Sequence, residues 1–192
     1  MSTSINGWEV IDKQTSGLLG VGTIPGTRIK LRMRKEVLPL FLALAADYNT
    51  HVAPLRPREC GAYAFRKARQ GGGLYSDHSS GTAVDLNWGH EGAMGPNGGM
   101  KTMTAKQIAA CAAIKQRYHI VIWGGDKARG GDYASPFSWD PMHYALKPGT
   151  TVQQIAAVCA QLGIKSDGMV GDKPTTQPVI ARLLRRPVRP KQ

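Results

Sequence analysis

Residues 76–85 read Ser-Asp-His-Ser-Ser-Gly-Thr-Ala-Val-Asp, and residues 140–143 read Asp-Pro-Met-His. Single His/Asp motifs arise often by chance, but the two segments together supply two histidines and two aspartates, the set a catalytic zinc site needs. Such a site takes three nitrogen or oxygen ligands and keeps a fourth position for water. On the metal that water loses a proton near neutral pH, and a carboxylate outside the ligand set collects and hands on protons. His78, Asp85 and His143 are read as the ligands and Asp140 as the general base. The chemistry implied is metal-dependent hydrolysis.

The elements between these residues must bring them together. His78 and Asp85 are separated by Ser79, Ser80 and Gly81, a turn signal. Gly81 would permit a tight bend by adopting a backbone conformation closed to other residues. The alternation that follows places Ala83, Asp85 and Asn87 on one strand face and Val84, Leu86 and Trp88 on the apolar other. A bend and then a strand can return Asp85 towards His78. Pro141 and Met142 suit a turn entering a strand, so Asp140 and His143 could face one centre. Taken alone, His143 would be a structural histidine and Asp140 a turn residue.

Other candidates fall away. Asp77 adjoins His78, and neighbouring side chains diverge on an extended segment, so it is placed outside the site. His90 and Glu91 sit in a glycine-rich loop as a rim or surface pair, and His51 and His119 take structural roles. Cys60, Cys111 and Cys159 are odd in number and irregularly spaced, which predicts reduced thiols with packing roles.

Along the chain the pattern is that of an α+β domain. Residues 34–48 read as a buried helix with Pro39 in its first turn, where a missing N–H costs little. A second helix starts near Thr104, which with Gln107 has the capping-box pattern, and buries Ile108, Cys111, Ala112 and Lys115. Residues 119–123 read as a buried strand. Loops 89–101 and 124–138 are glycine-rich and would frame a groove. Residues 151–162 read as a capped helix opening a helical extension over 149–181, and residues 182–192 as a basic flexible tail.

Composition narrows the class. The chain has 192 residues, enough for one domain plus an extension, and its 42% hydrophobic content argues against wholesale disorder. No apolar run approaches the about 20 residues needed to span a bilayer, and the N-terminal residues lack the pattern of a secretory signal. Net charge +12 favours an anionic partner surface. The basic residues are scattered without a nucleic-acid-binding motif, so no nucleic acid is expected.

The string Ser76-x-His78-x-x-Gly81-x-Ala83-x-Asp85, followed by Asp140-x-x-His143, resembles the M15 zinc peptidases. These comprise D-alanyl-D-alanine carboxypeptidases and L-alanyl-D-glutamate endopeptidases, many phage endolysins among them, and share a fold with the hedgehog signalling domain. The likeness covers roughly residues 30–147, within a domain set at 1–148. It implies a small mixed or antiparallel sheet flanked by helices, and one zinc ion on His78, Asp85 and His143 with Asp140 as acid/base. It also implies that Arg66, in Gly-Ala-Tyr-Ala-Phe-Arg, steadies the polarised carbonyl oxygen, with Ser76 or Tyr75 contacting substrate. By its nature alone, Arg66 could equally be one of a solvated basic cluster. The substrate implied is the peptide stem of peptidoglycan, cleaved by a monomer made in a phage host's cytoplasm and acting on the wall after release. One departure is Ala145, where many members carry a glutamate able to orient a ligand. Residues 163–171 weakly resemble a wall-binding repeat. The alternative is a non-catalytic metal-binding or wall-attachment module of the same fold.

Overall fold

The computed structural model describes residues 2–68, 72–91, 103–126, 140–166 and 168. Among them are three α-helices and two antiparallel sheets, an α+β fold. A hairpin of β1 (Leu19–Thr23) and β2 (Lys30–Arg34) stands apart from a four-stranded sheet. That sheet is ordered β3 (Cys60–Gly61), β4 (Ala83–Leu86), β6 (His143–Leu146), β5 (Val121–Trp123). The helices are α1 (Leu38–His51), α2 (Ala105–Arg117) and α3 (Val152–Leu162). None of them is long and apolar enough to cross a membrane.

Helix α1 is the centre of the core. It buries Leu40 to Ala45 without a break, plus Tyr48, because the hairpin, α2 and α3 all pack on it. A helix packed on every side has no need of a polar face. Pro39 lies in the first turn, as expected, where no intrahelical N–H is required. The helix starts at Leu38 and not at 34, because residues 30–34 are taken by β2. Their polar–apolar alternation buries Leu31 and Met33 beneath exposed Lys30 and Arg32.

The four-stranded sheet has two different faces. Val84, Leu86, Tyr144, Leu146, Val121 and Trp123 join the main core with α1. Ala83, Ala145 and Ile122 form a separate small cluster, on the face that also carries Asp85 and His143. Strand β4 ends at Leu86, and the expected continuation through Asn87 and Trp88 does not occur. Asn87 turns into a left-handed conformation (φ 55°) and is fully buried, donating to the Pro54 carbonyl and accepting the Arg56 N–H. Trp88 is consequently exposed. The strand expected from His119 begins at Val121, because a turn closed by the Val121 N–H and the Tyr118 carbonyl (2.8 Å) leaves His119 exposed.

Both helices with threonine caps carry the full capping box, Thr104 with Gln107 and Thr151 with Gln154. The buried stripe of α2 is shifted from the expected one: Ala110, Cys111, Ala113, Ile114 and Lys115 are buried, while Ile108 and Ala112 are half-buried. Lys115 is accepted inside because it pairs with Asp126. Ile155, Val158 and Ile164 place α3 and the residue after its cap in the same core cluster as α1. The three cysteines are free thiols. Most of the two glycine-rich loops, and residues 169–192 with the basic tail, lie outside the described residues.

Gly81 decides whether β4 can follow the turn bearing His78. Its φ is +71°, and a Cβ there would sit 2.7 Å from the Arg34 backbone nitrogen, which itself donates to the Gly81 carbonyl. The left-handed conformation costs a non-glycine residue roughly 1–2 kcal/mol before any clash. Gly81→Ala should therefore lose at least about 2 kcal/mol of stability, read from denaturant midpoints; an unchanged midpoint would show that the turn does not depend on this glycine.

Candidate metal centre

His78 lies in a 3-10 turn, Asp77–Ser80, whose entry is capped by the Ser76 hydroxyl accepting the His78 N–H (3.4 Å). All four turn residues are buried. The His78 Nδ1 lies 2.5 Å from the Ala62 carbonyl oxygen, a contact that requires a proton on Nδ1. A histidine held in this way presents Nε2 to the site with its ring orientation set.

Asp85 meets His78 because the turn and Gly81 reverse the chain into β4. It meets His143 because β4 and β6 pair with Asp85 directly opposite His143. Its Oδ1 lies 2.8 Å from His143 Nδ1, and its Oδ2 lies 3.1 Å from His78 Nε2. One ligand atom from each of the three residues lies within 4.8 Å of the others. Zinc bonds of about 2.0–2.1 Å in tetrahedral geometry separate ligand atoms by roughly 3.3 Å, and the two contacts, made through different Asp85 oxygens, are both shorter than that.

The donor set fits a divalent metal on a second ground. His78 Nε2 is buried and, despite its closeness to Asp85, makes no hydrogen bond among the described residues. A buried polar nitrogen left unpaired costs about 1–3 kcal/mol, a cost that a cation between imidazole and carboxylate would remove. Two imidazoles with one carboxylate are donors suited to zinc among the common ions.

The electrostatics are strongly coupled. Burial alone would raise Asp85, but His78 and His143 hold it far below the usual carboxylate range. Burial alone would lower His143, but the hydrogen bond and charge of Asp85, with Asp140 and Asp77 behind it, push it up to about 9. Asp140 shifts the other way from Asp85: burial raises it, the Asp85 charge adds to the rise, and His143, His78 and Arg66 oppose it. Its Oδ1 is buried without a hydrogen-bond partner among the described residues.

Asp140 is held by Gly124. The Asp140 N–H donates to the Gly124 carbonyl (3.0 Å), and the Gly124 N–H donates to the His143 carbonyl (2.9 Å). A Cβ on Gly124 would run into the Asp140 backbone and come within 3.0 Å of its Cβ. The glycine thus packs Asp140 beside β6, a role hidden in the sequence because Gly124 reads as ordinary loop punctuation. A turn from the Asp140 carbonyl to the His143 N–H (3.0 Å) completes the connection.

The remaining predicted residues are placed differently. Arg66 is exposed, and its backbone is tied to the ligand-bearing turn by the Ser79 hydroxyl and the Ser76 N–H. Its charge reaches Asp140. Ser76 is buried, and its hydroxyl caps the turn that carries His78. Tyr75 stacks on the exposed Phe65 ring (5.3 Å between centroids), and the Lys67 ammonium lies 3.5 Å from its ring centre. Asp77 is outside the triad, as the sequence suggests, yet it is buried and its charge bears on both histidines. Among the described residues His90 pairs with Glu59, and Glu91 pairs with Arg56 and accepts from Asn87. Ala145, where the related pattern carries an acid, is fully buried against Ala83 and Ile122.

No family model, no curated protein and no solved structure matches the chain.

His143 must be neutral to serve as a ligand, and its raised pKa keeps it protonated at pH 7 in the metal-free protein. The His143–Asp85 pairing therefore stabilises the metal-free fold fully below the ordinary histidine value of 6.5 and loses that contribution as pH rises through about 9. Metal uptake at pH 7 should release about one proton, and affinity should climb with pH until it levels near 9. Calorimetric titration in buffers of differing ionisation enthalpy measures this; uptake without proton release would contradict the raised pKa.

Proposed function

We propose that the chain is a zinc-dependent hydrolase of the M15 type, cleaving an amide bond in the peptide stem of bacterial peptidoglycan. The observation that carries this reading is the buried His78–Asp85–His143 group beside a buried carboxylate oxygen, Asp140 Oδ1, with no hydrogen-bond partner among the described residues. A purely structural site has no use for that second carboxylate, whereas hydrolysis needs a proton carrier next to the metal. The motif resemblance supplies the substrate class, and the chain's net charge of +12 agrees with an anionic wall as partner.

His78, Asp85 and His143 would hold the ion, which when bound supplies Lewis acidity towards a carbonyl oxygen and an attacking water. Asp140 takes the proton from that water at its carboxylate and delivers it to the departing amine. Its raised pKa suits the task, because a base nearer neutrality both accepts and returns a proton more readily. Arg66, exposed but anchored through its backbone to the His78 turn, would hold the oxyanion that develops on the scissile carbonyl. The Phe65–Tyr75 pair flanks Arg66 in this part of the chain and offers an apolar surface to substrate. Activity after release from a phage host's cytoplasm follows from the endolysin likeness.

Metal analysis combined with digestion of purified peptidoglycan tests the reading, with new amine ends followed by mass spectrometry. One zinc per chain and chelator-sensitive release of defined stem fragments are expected. Bound zinc without cleavage would point to the non-catalytic binding module, and absence of zinc would remove the basis of the proposal. Asp140→Ala should retain zinc and lose roughly 100- to 10,000-fold in rate; loss of metal instead would make Asp140 a ligand. Gly124→Ala should resemble it, retaining zinc while the displaced Asp140 costs activity, as measured by the same two assays.

A further inference from the structure

The turn that carries His78 is held by the chain's N-terminal segment. Residues 3–9 form a tight hairpin in which Thr3 bridges Glu9, the Ser4 N–H donates to the Trp8 carbonyl (2.9 Å), and the Gly7 N–H donates to the Ser4 carbonyl (2.9 Å). The tip of this hairpin inserts Asn6, which is 2% exposed. Its backbone N–H donates to Asp77 Oδ1 (2.9 Å), and its Nδ2 donates to Thr82 Oγ1 (2.8 Å) and to the Leu146 carbonyl (3.3 Å). Its Oδ1 accepts the Ser4 hydroxyl (2.8 Å), which is also bonded to the Ser80 hydroxyl (2.9 Å). Its carbonyl accepts the Gly149 N–H (3.4 Å).

These partners belong to both metal-bearing segments. Asp77 precedes His78, Thr82 leads into β4 and Asp85, and Leu146 closes the strand that His143 opens. Asn6 therefore ties the two halves of the donor set together, its backbone N–H holding Asp77 and its carboxamide holding Thr82 and Leu146. We propose that Asn6 is a positioning residue for the metal centre, setting the separation of His78 from the β4–β6 pair and through it the affinity and geometry of the site. This rests on the metal-binding reading above. The residue type fits the task, because a carboxamide offers two N–H donors and an acceptor in one planar group. Aspartate would set an acceptor against the Leu146 carbonyl, and alanine would leave that carbonyl and the Thr82 oxygen without the Asn6 donor.

The test compares wild type, Asn6→Ala, Thr82→Val and Thr82→Ser. Zinc affinity is measured by competition with a chromophoric chelator, ligand geometry by the visible absorption of the Co2+-loaded protein, and stability by thermal melting. Groups bonded directly to metal ligands typically control affinity by about 10- to 100-fold, and Asn6, which bonds their chain neighbours, is expected at the lower end of that range. Asn6→Ala and Thr82→Val should weaken zinc by roughly tenfold or more and shift the Co2+ bands, and Thr82→Ser, which keeps the hydroxyl, should restore both. A merely structural role would lower the melting temperature and leave the Co2+ spectrum of the folded protein unchanged. Wild-type affinity and spectrum in Asn6→Ala and Thr82→Val would overturn the proposal while leaving the metal site standing. If Asn6→Ala does not fold, the Thr82→Val and Thr82→Ser pair decides. A wild type that takes neither ion overturns the metal reading and the proposal together.

Discussion

The Asp85 carboxylate, shared between two buried imidazoles, is the contact on which the rest of this structure depends. Removing a carboxylate from water is costly, and the cost is offset here by His143 on one oxygen and His78 close to the other. Sharing is possible only in one strand register. With Asp85 opposite His143, both side chains point to the same face, whereas a slip of one residue would turn Asp85 into the apolar core beside Tyr144. The apolar face of β4 and β6 enforces that register, since Val84, Leu86, Tyr144 and Leu146 must all face α1. Packing of the core thus aligns the donors.

Around this contact the molecule concentrates polar atoms that it does not satisfy. Of the six buried side-chain nitrogen and oxygen atoms without hydrogen bonds among the described residues, three belong to His78, Asp77 and Asp140. Each carries a desolvation cost of about 1–3 kcal/mol, and the three lie in or beside the group that could hold a metal ion. In contrast, the layer beneath is fully engaged. Ser4, Asn6, Ser80 and Thr82 bond to one another, and Arg34, stacked over Trp8, donates to the Ser80 and Glu9 carbonyls. A satisfied buried network resists rearrangement, so a rigid base carries an under-satisfied top.

Much of this architecture is legible in the amino-acid sequence. The apolar run 37–45 with Pro39 near its start, and the threonine–glutamine pairs at 104/107 and 151/154, are local signals whose physics is complete within a few residues. The Gly81 bend is legible for the same reason. Signals that depend on distant partners mislead. Asn87 continues an alternating pattern, yet its side chain finds Pro54, Arg56 and Glu91, and those bonds end the strand. Neither Asn6 nor Gly124 carries a local signature of function, because each acts by fitting against residues far along the chain.

Residue chemistry by itself therefore determined which side chains could bind a metal, since imidazole and carboxylate donors keep that property in any fold. It also determined the reversal at Gly81, a matter of one residue's backbone freedom. Only the tertiary structure decided that His78, Asp85 and His143 come together, that Asp140 lies half-buried near them with its pKa raised, and that Ala145 packs against Ala83 and Ile122. The reason is physical: separations, burial and charge coupling are properties of packed neighbours, and those neighbours come from the N-terminal hairpin, β4 and β6, which meet only when the core closes around α1.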